Sequence, residues 1–123
     1  MGVGLFGKLP AHGDFISRGL PGPLRKSLDQ WITQNIGQET LPDGGLCKSL
    51  TLAGTPITAV ILPSHDKSGR VFPVVAVILE PAGGATSINE WCDQITVRLS
   101  DAVSTAIDAD TLLASLPAAP KAT

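Results

Sequence analysis

The chain has little of what several large classes of protein require. Its 123 residues include no tyrosine, two cysteines, two histidines and one methionine, and nine basic residues face eleven acidic ones. The cysteines form no C-x-x-C pair and no histidine stands at metal-ligand spacing from them, so nothing indicates a metal site. Without a basic excess we expect no nucleic-acid binding. The longest apolar run, residues 74–79, is far shorter than the roughly 20 residues that cross a bilayer. We therefore expect no membrane insertion.

The length and composition favour a single domain. A chain of this size can bury about two-thirds of its unfolded surface, and no linker is evident before a short Pro- and Ala-rich end. We predict one domain over residues 1–116 and a flexible tail over residues 117–123. The beginning of the sequence lacks a basic-then-apolar signal pattern, so we expect a cytoplasmic protein. Cys47 and Cys92 fall in a predicted strand and a predicted helix, and we interpret both as small core residues without a redox role.

The most informative segment is residues 4–21, which combine glycines, prolines, two phenylalanines and charged side chains. Two short apolar pieces, residues 4–9 and 14–20, predict strands joined by a tight turn. Gly7, Gly13 and Gly19 recur six residues apart, where we expect positive φ or a close approach of another surface.

The rest of the chain predicts three helices and three further strands. Apolar residues at helical spacing predict a helix from Pro23 to Gly37 and a long helix that begins at a capping box of Ser87 and Glu90. Asp110 is predicted to cap a last helix through Leu116. Strands are predicted over residues 46–53, 57–62 and 71–79, with a proline at position 73 that belongs near a strand start, at a bulge or on an unpaired side.

These elements define an α+β domain. The order is ββαβββαα, and short connections between strands require mostly antiparallel pairing in a five-stranded sheet flanked by helices. The same order occurs in longin and profilin-like folds, an analogy of topology that implies no function. Trp31 and Trp91 lie on the apolar stripes of their helices, so we expect both to be buried.

A second polar segment, residues 63–70, lies between two apolar strands. Charged and glycine residues of this loop and of the opening turn stand at strand ends, where a sheet can gather them at one edge. The candidate site residues are Lys8, Gly13, Asp14, Arg18, Ser64, Asp66, Gly69 and Arg70.

Three interpretations of this group stay open at the sequence level. In the first, Asp14 or Asp66 accepts hydrogen bonds from turn backbone and from Arg70 and so holds the two turns together. In the second, the same rim docks a partner protein. In the third, Ser64, His65 and Asp66 serve a small hydrolase, although lone histidines in turns are more often solvated. We favour a protein without enzymatic activity and without a cofactor.

Both polar segments resemble the type VI secretion-associated family TagF, also called ImpM. Its members begin with F-x-G-K-L-P and x-x-G-D-F, followed by a basic residue before L-P, and later carry M-P-S-x-D and x-x-G-R-x-F-P-L. The positions of the first motif that match are Phe6, Gly7, Lys8, Leu9, Pro10, Gly13, Asp14, Phe15, Ser17, Arg18, Leu20 and Pro21. Those of the second are Pro63, Ser64, Asp66, Gly69, Arg70, Phe72 and Pro73.

The resemblance implies a regulatory function. TagF proteins are cytoplasmic post-translational repressors of the type VI secretion system, thought to act by binding a forkhead-associated scaffold protein of that machine. The residues by themselves indicate only a binding domain. A generic longin-like docking scaffold for another protein is the alternative, and the oligomeric state is open.

Overall fold

The fold is built on one five-stranded sheet. The computed structural model describes residues 3–36, 41–42, 44–79 and 84–120. Its elements in chain order are β1 (Val3–Gly7), β2 (Ile16–Arg18), α1 (Gly22–Asn35), β3 (Leu46–Leu52), β4 (Thr55–Leu62), β5 (Val74–Leu79), α2 (Ala85–Thr105) and α3 (Ala109–Ser115). The predicted α+β class and element order are confirmed.

The strands lie in the order β2-β1-β5-β4-β3, and every neighbouring pair is antiparallel. Gly7 of β1 stands opposite both Ile16 and Val74. The outer strand β2 is shorter than predicted, and β5 begins at Val74 instead of Val71. Pro73 directly precedes β5, as a residue without an N–H group should.

Helices cover both faces of the sheet. On one face Leu24, Leu28 and Ile32 of α1 pack against a cluster that includes Phe6 and Val77. On the other face α2 and α3 pack against side chains of β1, β4 and β5. The sheet is therefore the middle of three layers, and the apolar character of β4 and β5 on both sides follows from burial on both sides.

The two tryptophans differ in burial. Trp91 of α2 is 3% exposed, which confirms the prediction for this residue. Trp31 is half-buried at the edge of the α1 layer. Its position beside the apolar stripe, instead of at its centre, explains the difference.

The start of α1 agrees with the sequence, but the predicted caps of the later helices are wrong. Proline stands in the first turn of α1, and the chain becomes extended at Ile36; the predicted stop at Gly37 lies outside the described residues. Helix α2 begins at Ala85 after Gly84, without a side-chain cap. Because the helix starts earlier than predicted, Ser87 falls inside its first turn and forms no capping box.

Helix α3 is capped by Asp108 instead of Asp110. Ala106 adopts the left-handed conformation and ends α2, which places Asp108 at the N-cap of α3. Its carboxylate accepts hydrogen bonds from the Thr111 N–H at 3.1 Å and the Thr111 hydroxyl at 2.6 Å. No helix among the described residues is long and apolar enough to span a membrane.

The two cysteines also differ from the prediction. Cys47 is exposed on the outer strand β3, and its sulfur is bonded to that of Cys92 on α2. Cys47 stands opposite Val60, whose side chain lies in the cluster under α2, so the register of β3 points Cys47 toward that helix. Cys92 is buried in the core as interpreted, but the interpretation is wrong for Cys47, which is exposed and bonded to Cys92.

Gly7 should be the glycine least tolerant of substitution in the first motif. Its φ is +125°, and an added Cβ would meet the backbone oxygen of Pro73. We expect Gly7→Ala to lower the free energy of unfolding by about 3 kcal/mol, because strain and overlap add. Gly13 has ordinary φ and open space around it, contrary to the prediction for this glycine. Gly13→Ala is the matched control, and equal losses in urea unfolding for the two variants would contradict this account.

Candidate functional site

Asp66 lies at the centre of the candidate site. Its carboxylate is fully buried, with 0% exposed, although it stands in a polar turn. Oδ2 accepts hydrogen bonds from Lys8 Nζ at 3.0 Å and from Arg70 Nε at 2.8 Å. Oδ1 accepts from the Ser68 N–H at 2.9 Å, the Ser68 hydroxyl at 2.7 Å and the Arg70 N–H at 2.9 Å. The buried charge is thus paired by two cations and by the donors of its own turn.

The same contacts determine the protonation state of Asp66. Burial by itself would raise the pKa of this carboxyl group, because it disfavours the charged form. Hydrogen bonds from Ser68, Lys8 and the Arg70 backbone, together with the charge of Arg70, outweigh burial and hold the pKa well below its ordinary range. Asp66 is therefore ionised at neutral pH and serves as a fixed acceptor.

The turn around Asp66 is closed by its own backbone. The Asp66 N–H donates to the Arg70 oxygen at 2.9 Å, and the Gly69 N–H donates to the Asp66 oxygen at 3.0 Å. Gly69 has φ of +90°, a conformation that residues with a side chain rarely adopt. This geometry gives a physical reason for the spacing of aspartate, glycine and arginine in the second motif.

The first and second motifs meet through these turns. We call residues 10–14 and 64–70 the paired turns. The Ser64 hydroxyl donates to the Lys8 oxygen at 2.7 Å, and the Lys67 N–H donates to the His12 oxygen at 2.7 Å. Arg70 Nη2 donates to the Gly13 oxygen at 2.9 Å. The prediction that the two turns come together is confirmed.

An aromatic cluster lies beside the paired turns. The rings of Phe6, Phe15 and Phe72 contact one another, with 4.9 Å between the centroids of Phe15 and Phe72. Lys8 is 6% exposed, and its Nζ lies 4.8 Å from the centroid of the Phe15 ring. The ammonium group is therefore held between the Asp66 carboxylate and an aromatic face. Phe15 itself remains 46% exposed.

Two predicted site residues lie outside the Asp66 cluster. Asp14 is exposed and its Oδ1 accepts a hydrogen bond from the Phe15 N–H at 2.7 Å. Arg18 on β2 donates from Nε to Asp110 of α3 at 2.7 Å and from Nη1 to the Ser17 oxygen at 3.0 Å. Asp14 therefore shapes the first turn, and Arg18 connects the outer strand to α3.

The geometry does not favour the hydrolase interpretation. The Ser64 hydroxyl is buried and donates to a backbone oxygen, whereas a nucleophilic serine needs a neighbouring base to take its proton. Asp66 is committed to Lys8, Ser68 and Arg70, and His65 forms a backbone bridge with Val71. The part of the chain that the structure describes holds no group of three or more His, Cys, Asp and Glu residues suited to a metal ion.

His12 has a contact that sequence reasoning missed. Its Nε2 accepts a hydrogen bond at 2.9 Å from the N–H of Ala109, the first residue of α3. The pair is separated by 97 positions, and the only sequence indication was a histidine in a turn. The structure gives it a specific partner instead of the solvated state that the sequence favours.

Comparisons with known proteins bear on the first motif and on the fold. A family model described as TagF N-terminal domain, type VI secretion system-associated, matches residues 4–46. The resemblance of the first motif to TagF proteins is thereby confirmed. No curated protein matches the chain.

A solved structure extends the likeness beyond the first motif. The crystal structure of PA0076 from Pseudomonas aeruginosa PAO1 is similar to this chain with a TM-score of 0.73 and 28% sequence identity. The alignment covers 96% of this chain and 64% of PA0076. The chain therefore spans less than two thirds of that relative, and the likeness includes the second motif and the later helices.

Proposed function

We propose that this protein is a cytoplasmic, non-enzymatic repressor of type VI secretion system assembly that acts after translation by binding a forkhead-associated scaffold protein. The association of residues 4–46 with the secretion system supports the setting. The paired turns supply a surface on which such a partner can dock. Repression follows if the bound scaffold is held in a state that cannot assemble.

The observation that carries the proposal is the exposure of Phe15 above the buried ion pair of Asp66 and Lys8. Asp66 and Lys8 are taken out of water and paired, which offers little net stability compared with an apolar core of the same volume. Such a cluster does fix geometry. Here the Lys8 ammonium group of the pair contacts the Phe15 ring. Phe15 is 46% exposed, so the rest of its surface is accessible to another molecule.

The surroundings of Phe15 suit a protein partner. Phe72, which contacts the Phe15 ring, also lines a mostly apolar groove together with Ile32, Thr33, Ile36 and Pro73. Arg70 keeps 63% of its side chain exposed beyond its bonds to Asp66 and Gly13. An aromatic anchor beside an exposed guanidinium is the composition typical of binding hot spots.

A second candidate function uses the same docking surface for a different partner protein. The family model ends at residue 46 and therefore does not cover the second motif. In this case the chain is a longin-like docking domain for a protein other than the forkhead-associated scaffold. Both candidates predict the same surface, and the identity of the captured protein distinguishes them.

The test compares Phe15→Ala with Val97→Ala. Val97 is 58% exposed on α2, on the other side of the sheet, and is the matched control. We expect Phe15→Ala to weaken binding to the purified scaffold at least about tenfold and to relieve repression in a secretion assay, because exposed aromatic anchors dominate interface energies. Val97→Ala should bind within about twofold of the original chain.

One result would distinguish the two candidate functions, and another would contradict the proposed docking surface. If the unaltered chain does not bind the scaffold but captures another protein in a Phe15-dependent way, the docking-domain candidate replaces the repressor. If Phe15→Ala and Val97→Ala bind and repress equally well, the paired turns are not the docking surface.

A further inference from the structure

His12 connects three parts of the molecule. It belongs to the first of the paired turns, its backbone oxygen accepts from Lys67 of the second, and its Nε2 accepts from Ala109 of α3. Ala109 is fully buried, so its N–H cannot turn to bulk water for a partner. The imidazole therefore satisfies one of the first N–H groups of α3, which have no acceptor inside the helix.

Only one charge state of the imidazole can do this. Neutral histidine offers one ring nitrogen as an acceptor, whereas both nitrogens carry protons in the imidazolium ion. Protonation of Nε2 would convert this acceptor into a donor and leave the Ala109 N–H without an acceptor. It would also place a positive charge at the positive end of a helix.

We propose that His12 is a proton-sensitive latch: the neutral imidazole holds α3 on the paired turns, and protonation releases α3. Histidine is the side chain whose charge ordinarily changes between about pH 8 and 5. The proposal does not depend on the repressor function, because it concerns only the attachment of α3 to the rest of the domain.

The charged groups around the latch do not replace the lost bond. The Asp108 carboxylate, at the N-cap of α3, accepts hydrogen bonds from Thr111. The Asp110 carboxylate, in the first turn of α3, accepts a hydrogen bond from Arg18 of β2. Asp14 of the first turn accepts from the Phe15 N–H, and Lys67 of the second adds a positive charge. Hydrogen bonds from the Thr111 side chain and backbone lower the pKa of Asp108, so this cap stays ionised while histidine titrates.

Release of α3 would uncover a defined part of the core. Ala109 and Leu112 are buried in the cluster that contains Leu5, Leu9 and Ile16, directly behind the first of the paired turns. Protonation at position 12 would therefore change the support of that turn as well as the position of α3.

The experiment measures amide hydrogen exchange of α3 by NMR between about pH 7.5 and 5.5, corrected for the intrinsic pH dependence of exchange. The proteins are the original chain, His12→Gln and His65→Gln. The glutamine oxygen can reach the position of Nε2 and accept a hydrogen bond without titrating, and His65 controls for the other histidine. We expect protection of residues 109–115 to fall at least about tenfold in the original chain and in His65→Gln, and to change less than about twofold in His12→Gln.

Three results would overturn the latch: constant protection in the original chain, an unchanged pH dependence in His12→Gln, or loss of the pH dependence in His65→Gln. If His12→Gln does not fold, the original chain alone still tests the proposal. In that case the chemical shift of the Ala109 amide should change over the same pH range as the chemical shifts of the His12 ring. An Ala109 chemical shift that stays constant over that range contradicts the proposal.

Discussion

Asp66→Asn should lower the melting temperature at pH 7 by about 10 °C or more, the size expected when a buried ion cluster of a domain this small is broken. The substitution keeps the shape of the side chain but removes the charge that pairs with Lys8 and Arg70. It also places an amide donor among donors. Lys8, which is nearly buried, then lacks a counter-charge.

The effect of Asp66→Asn should depend on pH in one direction. The pKa of Asp66 is lower in the folded state than its unfolded value of about 3.9. The ionised carboxylate therefore stabilises the fold fully above the unfolded pKa, and this stabilisation is lost as the pH falls toward the folded-state pKa. The difference in melting temperature between the original chain and the variant should be constant between about pH 7 and 5 and shrink below about pH 4. Asp14→Asn, at an exposed position outside the cluster, is the matched control. A difference that grows on acidification would contradict the assignment.

Trp91→Ala should cost about 3 to 5 kcal/mol of unfolding free energy, the range for truncating a buried aromatic residue. Trp91 is 3% exposed, and its Nε1 donates to the Pro117 oxygen at 3.1 Å. The substitution opens a cavity under α2 and releases the segment after α3. Urea unfolding measures the loss.

Trp31→Ala is the control for this prediction. Trp31 is half-buried on α1, so its truncation should cost clearly less. Equal losses at the two positions, or a loss below about 1 kcal/mol at Trp91, would contradict the different burial of the two tryptophans.

The hydrogen bond from Trp91 to the Pro117 oxygen also connects the segment after α3 to α2. Ala119 packs against the same cluster as Trp91, so the described part of the segment after α3 has contacts with the core. That residues 117–123 are flexible stays a prediction, and residues 121–123 lie outside those described.

Local sequence was sufficient for the pairings between strands that follow one another in the chain, β1–β2, β3–β4 and β4–β5. The two-residue turn at Ala53 and Gly54, both with positive φ, and the short connections leave antiparallel pairing as the available arrangement. The meeting of the two motifs was also predictable, because antiparallel β1 and β5 bring the turn after Gly7 beside the loop before Val74.

The parts that the sequence did not predict depend on distant contacts. The acceptor of the Ala109 N–H is a side chain 97 positions away, and Asp110 is drawn from the predicted cap position to Arg18. The partner of Cys47 depends on the register of β3 and on the face that α2 presents to it. None of these pairings has a periodic pattern, so propensity and spacing do not reveal them.

The geometry also changes the balance between the interpretations of Arg70. Its Nε binds Asp66 and its Nη2 binds Gly13, so it ties the paired turns together while most of its side chain stays in solvent. The first interpretation accounts for these bonds. Docking through the exposed remainder of the guanidinium stays a prediction.

The most direct test of the central claim is an NMR titration of the isotope-labelled chain with the purified forkhead-associated scaffold protein. The account predicts that resonances of residues 12–18 and 64–72 shift or broaden first, while those of the β3–β4 hairpin and of Val97 remain in place. Changes confined to β3, β4 or α2, with the paired turns undisturbed, would show that the scaffold binds elsewhere and would contradict the proposed surface. An absence of any change at saturating scaffold would contradict the proposed partner.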